Sequence, residues 1–126
     1  MKKQIVSKKA PAAIGAYSQA IKNGDLIFTS GQIPIDPDTS EMVTEDIEKQ
    51  TVQVMENLKN VLKEAGSNFD NVLKATIFLT DLDNFAKVNG IYKEYFGEIP
   101  PARSCVEISR LPKESLIEIE VVAVKA

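Results

Sequence analysis

The stretch Ile117-Glu118-Ile119-Glu120-Val121-Val122-Ala123-Val124 alternates so regularly that it reads as a β-strand, and the rest of the chain can be arranged around it. Ile117, Ile119, Val121 and Ala123 share one face, which reads as dry core. The other face carries Glu118, Glu120, Val122 and Val124, half charged and half apolar. Two more segments have strand character. In Val72 to Thr80 the core face is expected to hold Leu73, Ala75, Ile77 and Leu79, leaving Val72, Lys74, Thr76 and Phe78 opposite. In Ala102 to Ile108 it is expected to hold Ser104, Val106 and Ile108, leaving Arg103, Cys105 and Glu107 opposite.

Two helices supply the cover. From Thr44, read as the N-cap with Glu45 and Asp46 behind it, Ile47, Thr51, Val54, Met55, Leu58, Val61, Leu62 and Ala65 recur at helical steps until Gly66 stops the run. A second helix is expected from about Asp83 to Phe96, with Phe85, Val88, Ile91, Tyr92, Tyr95 and Phe96 as its apolar stripe. Near the N-terminus, short strands are expected at Gln4 to Val6, Tyr17 to Ile21 and Asp25 to Ile33. Asn23-Gly24 makes a hairpin turn between the last two, and Pro34 to Ser40 forms a loop. The expected fold is therefore α+β, one domain over residues 1–126, with a mixed sheet and two helices packed on one face. The uncovered face would expose Phe78, Val122 and Val124 beside Arg103 and Glu118. Such a mixture predicts a homo-oligomer with sites at its seams.

Composition narrows the chemistry. The chain has 15 basic and 18 acidic residues, a net charge of -3, one cysteine and no histidine. An internal disulfide, Ser-His-Asp and Cys-His catalysis and histidine-based zinc sites are excluded, so hydrolytic chemistry must rest on carboxylates, Arg, Lys, Tyr or backbone groups. The basic residues form no block or stripe, which argues against nucleic acid as partner. With no apolar signal segment and no stretch near the ~20 residues that span a bilayer, the expected location is the cytoplasm and no membrane partner is expected.

On spacing alone the candidate site residues keep structural readings beside functional ones. Arg103 reads first as a surface or interface ion pair, and Glu118 and Glu120 as structural charge. Cys105 reads as a small buried hydrophobe, Tyr17 as a packing residue and Ser30-Gly31 as a turn. Asn89, a poor helix former within a helix, favours a hydrogen-bonding duty.

A wider pattern changes these weights. The chain carries Ala10-Pro11-Ala12-Ala13-Ile14-Gly15 and Tyr17-Ser18-Gln19-Ala20, then Phe28-Thr29-Ser30-Gly31-Gln32-Ile33-Pro34, Asn57-Leu58 and Asn89. Pro101-Ala102-Arg103-Ser104-Cys105-Val106 and Ile117-Glu118-Ile119-Glu120 follow. In this order they resemble the Rid family of reactive-intermediate deaminases, and within it the RidA-type enamine/imine deaminases. Position 16 is Ala where that family commonly has Pro.

The resemblance implies a chorismate-mutase-like protomer, a homotrimer with active sites between subunits, and no metal or organic cofactor. It implies hydrolysis of 2-aminoacrylate, 2-aminocrotonate and their imines to 2-keto acids and ammonia. Arg103 would hold the substrate carboxylate and Glu118 the water, with Tyr17, Ser30, Gly31, Asn89 and the backbone of Cys105 binding the substrate. Competing readings are a keto-acid-binding or regulatory protein that uses Arg103 without turnover, and an endoribonuclease-like translation inhibitor.

Overall fold

The computed structural model describes residues 1–126. In chain order the strands are β1 (Lys2–Ile5), β2 (Ala20–Asn23), β3 (Leu26–Thr29), β4 (Ile35–Asp36) and β5 (Glu41–Met42). Helix α1 (Ile47–Glu64), β6 (Val72–Leu79), α2 (Phe85–Tyr92), β7 (Ala102–Glu107) and β8 (Ile117–Val124) follow. Six strands form one mixed sheet in the order β1-β2-β3-β8-β6-β7, in which only β6 and β7 run parallel. Strands β4 and β5 pair separately, so the expected loop Pro34 to Ser40 contains half of a small hairpin.

The core lies where the two helices meet the sheet. Ile117, Ile119, Val121 and Ala123 of β8 and Ala75, Ile77 and Leu79 of β6 are buried with Val54, Met55, Leu58, Val61, Leu62 and Val88 of the helices. Burial of each large side chain contributes about 1.5–3 kcal/mol, which is why the helical stripe and the strand alternation dominate the fold. Asp46, not Thr44, is the N-cap of α1, its carboxylate accepting from Lys49 N at 2.9 Å. At the other end Gly66, at φ 80, lets its own N–H reach Lys63 O while Ser67 N–H reaches Leu62 O, a Schellman closure. Around α2, 3₁₀ turns at Leu82–Asn84 and Lys93–Tyr95 complete the helical run expected from Asp83.

Three expectations at the strands need correction. The β2–β3 loop is Gly24-Asp25, because Asn23 pairs with Leu26 as the last strand residue, and only Gly24 has positive φ, as a type II′ turn requires. Tyr17 lies outside β2. The segment before it is held instead by the buried Gln19 amide, which accepts from Ser7 N at 2.6 Å and donates to Ser7 O and Pro11 O. In β6 a bulge between Val72 and Lys74 shifts the phase, so Val72 is buried and Leu73 is 50% exposed, the reverse of the alternation read from sequence.

The largest correction concerns β7. In the parallel ladder Arg103 pairs with Ala75, Cys105 with Ile77 and Glu107 with Leu79, and paired residues share a sheet face. Arg103, Cys105 and Glu107 therefore lie on the helix side, while Ser104 and Val106 lie on the other. The expected phase was inverted because the uncovered face is itself half apolar. Val106 is 42% exposed there beside its ladder partner Phe78, and Phe28 and Val122 pair on the same face, so apolar character could not tell the two faces apart.

Candidate active site

The structure sorts the candidate residues into two groups. Glu118 pairs with Phe78 on the uncovered face and lines a cavity of about 590 Å³ with Tyr17, Ser30, Gly31, Ile33 and Lys113. Arg103, on the opposite face, lines a second cavity of about 540 Å³ with Asn89, Tyr92, Phe96 and Pro101. Each site residue thus has its own cleft, and neither cleft contains both charged groups.

The Glu118 cleft is assembled by buried amides. Gln19 fixes the loop that presents Tyr17, whose hydroxyl accepts from Ile14 N at 3.4 Å. Asn57, fully buried on α1, donates to Ile33 O and Ile35 O at 3.3 and 3.0 Å. Gln50, also on α1, accepts from Leu116 N at 2.9 Å and tethers the turn before β8. In that turn Lys113 and Glu114 adopt left-handed backbone at φ 55 and 57, a strain of about 1–2 kcal/mol per residue that brings Lys113 to the cleft wall. None of the three amides stood out as functional in the sequence. The available signal was an amide on the apolar stripe of α1, since a buried amide must find partners.

Ser30 and Gly31 have distinct duties. The Ser30 hydroxyl donates to Ser18 O at 2.6 Å, and Ser30 N–H donates to Gln19 O at 2.9 Å, which fixes the strand end. At Gly31 a Cβ would stand 2.6 Å from Glu118 Cδ and 2.8 Å from Cγ, so the missing side chain makes room for the carboxylate. Burial raises the Glu118 carboxyl above the usual carboxylate range, and the Glu120 charge two residues along the same face adds to the rise.

In the other cleft Arg103 donates from Nη1 to Asn89 Oδ1 at 2.7 Å, so within the protomer the amide contacts the arginine. The guanidinium carbon lies 5.1 Å from the Phe85 ring centre and 5.0 Å from that of Tyr92. Cys105 is half-buried and packs against the core, and burial raises its thiol against the opposing pull of Arg103. A thiol held protonated is a poor nucleophile, in keeping with its reading as a packing residue.

A six-stranded mixed sheet under two helices, with a guanidinium cleft and a desolvated carboxylate cleft, defines an α+β protein with two charged clefts. The sequence model of the family described as Endoribonuclease L-PSP matches residues 7–125, and the chain belongs to this family, the Rid proteins. It is 56% identical to a RutC family protein of Pyrococcus abyssi, over 98% of each chain. It is 47% identical to the 2-iminobutanoate/2-iminopropanoate deaminase of Salmonella typhimurium, over 99% of each. The crystal structure of the Rid family protein YyfA from Yersinia pestis superposes with a TM-score of 0.97 at 54% identity, covering 98% of this chain and 99% of that one.

Proposed function

We propose that this protein hydrolyses 2-enamino and 2-imino acids of the 2-aminoacrylate and 2-aminocrotonate kind to 2-keto acids and ammonia, as a chorismate-mutase-like homotrimer. Each active site would join the Arg103 cleft of one subunit to the Glu118 cleft of its neighbour. The observation that carries the reading is an arginine that makes no ion pair, although Glu98 also lines its cleft, together with a desolvated carboxylate in another cleft. The 47% identity to an imino acid deaminase supports it.

The chemistry is simple. Arg103 binds the substrate carboxylate by parallel hydrogen bonds. The protonated imine carbon is already electrophilic, so Glu118 need only hold a water against it and accept a proton as the C–O bond forms. Glu118 returns that proton to the carbinolamine nitrogen, the C–N bond breaks to release ammonia, and the hydroxyl proton is lost as the C=O bond of the keto acid forms. A nuclease reading, suggested by the family description, has less support, since the chain has no histidine and a net charge of -3. The deciding experiment generates 2-aminoacrylate in situ with a serine dehydratase and follows imine decay. The protein is expected to accelerate it, and an unchanged rate would overturn the reading.

The acid limb of the pH profile supplies a second test. Glu118 must be ionised to accept the proton, so kcat/KM falls as pH drops through its raised folded-state pKa. Glu120→Gln removes one of the two causes of that rise. The limb is expected to move to lower pH in Glu120→Gln and to vanish with the activity in Glu118→Gln, and a Glu118→Gln variant that keeps both activity and limb would exclude Glu118 as the titrating base.

A further inference from the structure

Phe85, Asn89 and Tyr92 stand at i, i+4 and i+7 on α2 and so form one stripe of the helix, turned toward the edge strand β7. All three contact the Arg103 guanidinium: two ring faces at 5.1 and 5.0 Å, and one amide oxygen at 2.7 Å from Nη1. An exposed arginine on an edge strand would otherwise sample many rotamers. We propose that Phe85 and Tyr92, acting with Asn89, are positioning residues that hold the Arg103 guanidinium in one orientation before a carboxylate ligand arrives. This inference rests on the reading of Arg103 as the carboxylate anchor and adds how the anchor is aimed.

The choice of partners is informative. An acidic neighbour would orient the guanidinium equally well but would neutralise the charge that the ligand requires. Aromatic faces and a neutral amide orient it without an ion pair, and Glu98, which also lines the cleft, makes none with it. Asn89 engages Nη1, which leaves the Nε and Nη2 edge with two parallel N–H donors, the fork that matches a carboxylate. Tyr92 keeps to the same rule. Its residue is 3% exposed and its hydroxyl has no hydrogen-bond partner, so what it offers the cation is its ring face.

The chain has two arginines, Arg103 and Arg110, so NMR relaxation of the side-chain Nε–H groups gives two assignable signals. In the intact protein Arg103 is expected to show an order parameter near the rigid value of about 0.85, with the exposed Arg110 below about 0.6. Phe85→Leu keeps apolar bulk but removes a ring face. It should loosen Arg103 and weaken pyruvate binding about fivefold, with the loss of imine turnover appearing in KM rather than kcat. Phe85→Tyr and Tyr92→Phe retain the ring faces and should keep Arg103 rigid, which separates positioning from folding. An Arg103 as mobile as Arg110, or a Phe85→Leu variant with unchanged Nε order and unchanged pyruvate affinity, would overturn the clamp. If the intact protein fails to accelerate imine decay, the deaminase reading falls, and Nε relaxation with pyruvate titration still decides the clamp.

Discussion

Arg103→Ala is expected to lower kcat/KM for 2-iminopropanoate by at least about a hundredfold, since two charge-assisted hydrogen bonds of about 1.5–3 kcal/mol each are lost. A substrate of so few atoms has little else by which to be oriented, so the loss should fall on kcat as well as KM. Arg103→Lys should recover little of it. An ammonium restores the charge but not the planar fork, and it cannot meet the Phe85 and Tyr92 ring faces while donating to Asn89 in the same geometry. Fold stability should change little, because Arg103 is exposed on an edge strand. Steady-state kinetics on both variants check this, together with competition by pyruvate, which should inhibit the parent protein and lose its hold on both variants. A lysine variant with near-parental kcat/KM would show that charge alone is required and that the fork is not.

The contrast between β8 and β7 explains how much of the fold was legible in sequence. In β8 one face is wholly apolar, so its phase, and with it the burial of Ile117, Ile119, Val121 and Ala123, could be read directly. The stripe of α1 was legible for the same reason. In β7 both faces are mixed, and the partners that fix the phase, Ala75 and Ile77 of β6, lie more than twenty residues away in the chain. Alternation at β6 failed where a bulge inserted one residue, which pattern alone does not register.

The arrangement of the candidate residues was legible only in part. Tyr17, Ser30, Gly31 and Glu118 do share a cleft, and Asn89 does meet Arg103, but the sequence put Arg103 and Glu118 on one face when they occupy two. Gln50 went unremarked, and Gln19 and Asn57 entered only as pattern residues without a role, because their partners are backbone groups of distant loops that only the fold brings within reach.

That separation leads to the other large expected effect, subunit complementation. A substrate a few atoms long cannot reach through a β-sheet, so under the deaminase reading Arg103 and Glu118 must meet across a contact between copies. The uncovered face, with Phe28 and Val106 each more than 40% exposed, is available for that contact. Arg103→Ala and Glu118→Gln should each be nearly inactive alone. Mixed in equal amounts and co-refolded, they should regain about a quarter of the parental activity, because in a closed ring about a quarter of the seams then join an intact Arg103 to an intact Glu118. Light scattering on the same sample should report three times the 13.9 kDa chain mass. Were mixed oligomers to form at that mass without regaining activity, the model of a cleft that joins Arg103 of one copy to Glu118 of the next would be overturned. A monomeric mass for the active parent protein would remove the shared cleft altogether.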